Sequence, residues 1–362
     1  MLGPLLFIIY MIDITDDLDG VEVCIFADDT KNWQVTSFNF FQRELGKMYS
    51  WAKRNNSFFN GKKFIKTVSG DADNTPPLLD PDGNIIKSVV HAKDLGVYVS
   101  SDMSFDYHIN TIVLAAQRMF AWALRTFRTR EVVPMLTLLR TLIVSKVEYA
   151  SILWCPTDIT NIKNLESVQV RFTSKIGIFR RLCDDSGFTE CTVDYWERLI
   201  RLHIYSLQRR RERYQVLYMC NIHLRLVPDL GFLSDYHVRT GTKYFAKYNH
   251  HATAAVKTLR YSSFFTQGPV LYNLLPAQLC APSTANTQEE TDKAKRWIKR
   301  RVDKWLELIP DEPPTSENLP RTAESNSIVG QMGMHGRDIR KQWELVSKKL
   351  DKEEEEKEDR AA

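Results

Sequence analysis

Not one Cys-x-x-Cys pair occurs in this chain of 362 residues, although it has six cysteines, at Cys24, Cys155, Cys183, Cys191, Cys220 and Cys280. That scatter argues against a zinc ribbon and against the disulfide framework of a small secreted domain, and fits free thiols in a reducing compartment. Structural zinc spacing is missing too, so Cys183 and Cys191 with the pair His250 and His251 are set aside as a metal centre. Charge of one sign is not in large excess. The net charge is +4 with a pI near 8.6, too mild by itself to announce a nucleic-acid partner. The apolar stretch Leu2 to Ile14 falls short of the roughly 20 residues a membrane helix needs. It also lacks a basic leading region and a small-residue cleavage site, so neither secretion nor membrane insertion is expected. The chain reads as intracellular, cytoplasmic or nuclear. What is present is a hydrophobic fraction of 43%, enough for two or three domains with a real core.

The β-branched, apolar run Val21-Glu22-Val23-Cys24-Ile25-Phe26 predicts a strand, Asp28 and Asp29 a reversal, and Asn32 to Thr36 the returning strand. Two adjacent carboxylates thus sit at the tip of a tight hairpin. Carboxylate oxygens are the hard ligands Mg²⁺ takes. An isolated Asp pair in a turn is usually just solvated, so the flanking sequence decides its weight.

Upstream stands Leu2-Gly3-Pro4-Leu5-Leu6-Phe7, and the hairpin reads Phe26-Ala27-Asp28-Asp29. In this order and spacing the two segments resemble the reverse transcriptases of LINE-type, non-LTR retrotransposons. The resemblance implies a polymerase palm whose catalytic turn is the hairpin, with Asp28 ligating Mg²⁺ and Asp29 assisting. Such enzymes add nucleotides with two metal ions. It also implies a further essential carboxylate on an earlier strand. The chain starts at the residue before Leu2-Gly3-Pro4, so the fingers and that first metal-binding Asp are expected to be missing, and the polymerase to be inactive alone. Asp13, Asp16, Asp17 and Asp19 lie between the motifs and read as solvated loop charges.

Further matches follow in order. Helical spacing of Phe38, Phe41, Leu45, Met48 and Ala52 predicts an amphipathic helix over 37–57. Asn60-Gly61-Lys62-Lys63-Phe64 resembles the family's next palm motif, which implies that Lys62 assists the departing pyrophosphate; a surface lysine in a glycine turn is the plain alternative. A loop at 71–83 is punctuated by Pro76-Pro77 and Asp80-Pro81-Asp82-Gly83. Lys93-Asp94-Leu95-Gly96-Val97 resembles the segment that ends the palm and grips the primer, where Gly96 permits a close approach or marks a bulge. From His108 the pattern is helical, with a second helix over 133–147, and 146–154 and 164–173 resemble thumb signatures. A helix over 195–220 sets Trp196, Leu199, Ile200, His203, Ile204 and Leu207 on one face. Arg198, Arg201, Arg209, Arg210, Arg211 and Arg213 crowd its other face and end, as a phosphate-contacting surface or a solvated one. His203 reads as a buried histidine.

The segment 239–276 resembles the aromatic tail that follows the thumb, with Tyr244, Phe245, Tyr248, Tyr261, Phe264 and Phe265 available for packing or base stacking. A basic amphipathic helix is predicted over 292–308, and a polar linker beyond Ile309. The expected class is α+β: a partial palm sheet with a catalytic-type β-hairpin at 1–104, a helical thumb-like bundle at 105–225, a basic, aromatic region at 226–309, a linker at 310–337 and a charged helical tail at 338–362. RNA and DNA are the implied partners and Mg²⁺ the implied cofactor. A nucleic-acid-binding module, or an interaction protein whose partner binds 338–362, is the alternative.

Overall fold

The computed structural model describes residues 2–33, 38–69, 76–183, 187–191, 193–227, 236–239, 243–246, 261–280, 287–313 and 326–359. Helices and short strands make it α+β, in two compact units, Met1–Tyr107 and His108–Ala362. Among the described residues the strands form separate two-stranded ladders, where the sequence suggested one palm sheet.

The first unit opens with α1 (Leu2–Met11), a helix with no charged residue. Leu2, Leu5, Leu6, Ile8 and Ile9 are exposed. Only its end is seated: Tyr10 meets Trp51 edge-on at 5.7 Å, and Met11 packs on Ile14, Met48, Trp51 and Ala52. Strands β1 (Glu22–Phe26) and β2 (Asp29–Trp33) form the expected hairpin, with 34–36 of the returning strand outside the described residues. Helix α2 (Phe38–Arg54) supplies the small core from the face that its 3.6-residue period predicted.

The acidic residues before the hairpin, Asp13, Asp16, Asp17 and Asp19, are exposed as expected, and three of them are also tied to α2. Asp13 accepts the Trp51 indole N–H at 3.0 Å, Asp17 pairs with Arg54 at 3.0 Å, and the Asp19 amide donates to buried Glu44 at 3.0 Å. Short strands β3 (Ile65–Lys66) and β4 (Lys87–Ser88) pair in parallel, and β5 (His91–Asp94) pairs with β6 (Val97–Ser100). The predicted loop turns on Asp80, whose carboxylate accepts the amides of Asp82 and Asn84 at 2.9 and 2.8 Å. Its residues 71–75 are outside the described residues.

In the second unit α3 (Asp106–Thr126) carries the predicted stripe, with Ile109, Val113, Ala116 and Ala123 buried. The helix expected at 133–147 is one helical run with a π-helical centre: α4 (Val132–Leu138), the π segment Leu139–Val144, then α5 (Ser145–Glu148). Next come α6 (Ser151–Trp154) and α7 (Ile159–Thr173), which Asp158 caps by accepting the Asn161 amide at 2.7 Å. Strands β7 (Arg180–Cys183) and β8 (Gly187–Cys191) follow.

The single helix expected over 195–220 is two. Helix α8 (Tyr195–Leu202) ends at His203, left-handed with φ 52, and α9 (Leu207–His223) restarts behind Ser206, whose hydroxyl accepts the Arg209 amide. His203 is exposed, not buried, because it is the helix cap. Strands β9 (Tyr236–Arg239) and β10 (Lys243–Ala246) pair, and α10 (Phe264–Tyr272) packs on α9. Tyr248, His250 and His251 lie outside the described residues, as do residues 314–325 of the predicted linker.

Helix α11 (Gln288–Leu306), opened by a Thr287–Glu290 capping box, buries Ile298, Val302, Trp305 and Leu306. The charged tail is not a solvated appendage. It belongs to α12 (Ile328–Asp359), whose Ile328, Met332, Ile339, Trp343 and Leu350 join one core with Val216, Met219, Val302 and Trp305.

Candidate functional site

The β1–β2 register pairs Phe26 with Asp29, so the loop between them is Ala27 and Asp28. Asp28 therefore stands on the turn and Asp29 is the first residue of the returning strand. Ala27 is left-handed, φ 54, a conformation that costs an L-residue roughly 1–2 kcal/mol. Both carboxylates are exposed. Asn32 fastens the hairpin to α2 through its amide on the Met48 sulfur at 3.3 Å, and Lys31 ion-pairs with Asp94 on β5.

That second hairpin turns on Leu95 and Gly96, with φ 43 and 92. Positive φ at both turn positions is the type I′ pattern, and it accounts for glycine there. Gly96 is thus a turn residue, not a bulge. Lys62 is exposed in the short 3₁₀ turn Gly61–Lys63. Among the described residues it makes no hydrogen bond or ion pair with Asp28 or Asp29.

Two carboxylate side chains suit Mg²⁺ in kind. They also suit it in number for one ion completed by water and phosphate oxygens. Among the described residues no three His, Cys, Asp or Glu side chains gather as a metal-holding group.

The arginine surface expected over 195–220 is corrected by burial. Arg198 is enclosed and donates to Thr173 Oγ1 and to the carbonyls of Val193 and Val170 at 3.1, 2.7 and 3.1 Å. Arg209, fully buried, donates to the carbonyls of Ile309, Pro310 and Asn326 at 3.0, 2.7 and 3.1 Å. Arg211 is buried as well, and its charge opposes the burial that raises the Glu166 carboxyl above its ordinary range. Half-buried Arg210 holds Glu148 with two donors, one at 2.8 Å. Glu148 also accepts from Tyr214 at 3.0 Å and lines an open groove of ≈ 500 Å³ with Tyr149 and Tyr218. Arg213 pairs with Asp303. Arg201 alone of the predicted six is exposed, and it pairs with Glu197. A cation already committed inside a core is not offered to a phosphate.

Sequence reasoning missed what these residues build. Ser206, Arg209 and Glu212 at the start of α9 grip the end of α11 and the start of α12. Asp311 accepts from the Ser206 amide and hydroxyl, both at 2.7 Å, Asn326 donates to Ser206 at 2.6 Å, and Glu212 accepts the Ile328 amide at 2.8 Å. Burial pushes the Glu212 carboxyl up to about 7 against the pull of Arg209. In the first unit the opposite holds: hydrogen bonding by Lys47, with further donation from Asp19 and Arg43, outweighs burial and holds Glu44 at about 2. A serine N-cap at 206 was the one local signal for this hub.

Comparison of the chain with protein-family models, curated proteins and solved structures gives no match. Among the described residues no helix is long and apolar enough to cross a membrane.

Proposed function

We propose that the chain derives from the reverse transcriptase of a LINE-type, non-LTR retrotransposon, with palm elements in the first unit and thumb elements in the second, and that it binds RNA and DNA. The observation that supports this reading best is the two-residue turn that presents Asp28, with Asp29 exposed beside it, on a hairpin following Leu2-Gly3-Pro4-Leu5-Leu6-Phe7. Asp28 and Asp29 would hold Mg²⁺, which on binding supplies charge neutralisation for phosphate oxygens. The strained Ala27 sets the turn, and the Lys31–Asp94 pair fastens it to the neighbouring hairpin.

By itself the polypeptide 1–362 is expected not to extend a primer, because two carboxylates supply only part of the constellation. The test is binding of Mg²⁺ and of an RNA–DNA hybrid. Mn²⁺, taking the place of Mg²⁺, is expected to broaden the amide resonances of residues 27–30, excess Mg²⁺ to reverse the broadening, and Asp28→Ala to abolish it while leaving hybrid affinity within about twofold. No broadening at the turn, or no binding of the hybrid, sinks the reading; efficient primer extension by this polypeptide would overturn only its expected inactivity.

A further inference from the structure

Helix α11 has two long faces. Ile298, Val302, Trp305, Leu306 and, just beyond its end, Ile309 point into the core. At 100° per residue, Lys293, Arg296, Arg300 and Lys304, three or four residues apart, fall on an arc opposite, while Trp297 packs partly against the core and Arg301 is buried at the edge between the two faces. The C-terminal part of α12 lies against this arc. Arg300 pairs with Glu353 at 2.7 Å and with Glu354 at 3.7 Å, and Arg301 pairs with Glu354 at 2.9 Å and with Asp351. The Trp297 indole donates to Glu354 at 3.0 Å while the Arg301 guanidinium stacks over that indole at 4.5 Å.

We propose that the cationic face of α11 is a binding surface for the phosphate backbone of single-stranded nucleic acid, and that Asp351, Glu353 and Glu354 of α12 occupy it as an internal competitor. Three carboxylates along about one helical turn offer the same charged oxygen acceptors that successive phosphates offer a line of arginines. The Arg300–Glu353 pair is open to water, at 37% and 41% exposed, whereas the Arg301 side chain that holds Asp351 and Glu354 is only 5% exposed. Ion pairs that open to water are weak and screened by salt, so a polyanion of higher charge density displaces them. An anionic membrane is disfavoured as the occupant, because the apolar face of α11 is already buried and no apolar side remains to enter lipid.

The tail and the arc carry this inference without the Asp28 turn, so it stands or falls apart from the polymerase ancestry. The experiment measures binding of a fluorescent single-stranded oligonucleotide to the full chain and to the triple variant Asp351→Asn, Glu353→Gln, Glu354→Gln over a range of salt. Amides keep the shape and the Trp297 contact, and a second variant truncated after Leu350 keeps Ile328, Met332, Ile339, Trp343 and Leu350 of the core; circular dichroism checks both. Both variants are expected to bind about tenfold or more tighter than the parent. The salt slope should steepen by about 1.4, two more phosphates at about 0.7 each. Adding Arg296→Gln and Arg300→Gln to the triple variant should return affinity to the parental level. Equal affinity of parent and both variants overturns the proposal while leaving nucleic-acid binding elsewhere on the chain intact. A gain confined to anionic vesicles overturns it in favour of a membrane. Failure of parent and variants alike to bind the single-stranded oligonucleotide overturns this surface, whereas the proposed function falls separately, on loss of hybrid binding or of metal broadening at the Asp28 turn.

Discussion

The buried carboxylate of Glu212 accepts the amide N–H of Ile328 at 2.8 Å, so one acidic side chain inside the core holds the first residue of a 32-residue helix. Its other oxygen accepts from Gln208 at 3.3 Å. Because burial raises this carboxyl to about 7 from an ordinary 4.5, the folded state favours the protonated form. That contribution is complete below about pH 4.5 and is lost as pH rises through 7. Glu212→Gln should therefore stabilise the second unit more at pH 8 than at pH 5, by on the order of 2–3 kcal/mol. The unpartnered Oε1 of Gln208 can accept from the new amide if the Gln208 side chain flips. Thermal melts of parent and variant at the two pH values measure the difference, and an equal shift at both would refute it.

Glu44 gives the opposite pH dependence. Its carboxyl is held at about 2, chiefly by Lys47 at 2.8 Å, so its contribution is present above about pH 4.5 and disappears as pH falls toward 2. Glu44→Gln should destabilise the first unit by on the order of 3 kcal/mol at pH 7, with little effect at pH 2. It should also free the 13–20 loop. Urea titrations followed by Trp51 fluorescence, and amide exchange at Asp19, test both parts.

Ala27 invites a gain. Glycine takes positive φ without steric cost, so Ala27→Gly should stabilise the hairpin by about 0.5–1 kcal/mol. Slower amide exchange in β1 and β2 is the expected result. Unchanged or faster exchange would mean that the turn is not strained.

Arg209→Met separates structure from binding. Removing the guanidinium leaves the carbonyls of Ile309, Pro310 and Asn326 without their donor, a loss of about 3–5 kcal/mol by analogy with broken buried charge networks. The melting temperature should fall sharply. Affinity for an oligonucleotide, corrected for the folded fraction, should not change, which a surface arginine in contact with phosphate would not allow.

What the sequence disclosed was local. The hairpin at 22–33 followed from a β-branched run and a turn, and α2 and α3 from apolar residues every three or four positions. The break at His203 was hidden because apolar periodicity continues through it, and only Ser206 marked a new helix start. Burial of Arg209 and Glu212 could not be read locally, since their partners lie 100 or more positions away. The packing of α12 did have a signal: Ile328, Ile339 and Leu350 are eleven apart, as are Met332 and Trp343, a repeat of 3.67 residues per turn. Its glutamate-rich end drew the eye from that stripe. The Asp28 turn was legible as geometry, from a β-branched run that meets a turn-forming Asp pair.

The clasp at the head of α9 also imposes an order on synthesis. Ser206, Arg209 and Glu212 emerge from the ribosome well before Ile309, Asp311, Asn326 and Ile328, which complete their bonds. At about 5–20 residues per second, those polar and charged groups wait several seconds in a half-built interior. During that interval the nascent chain offers chaperones an unfinished polar seam, and a ribosome stalled anywhere before 309 leaves a product that cannot close.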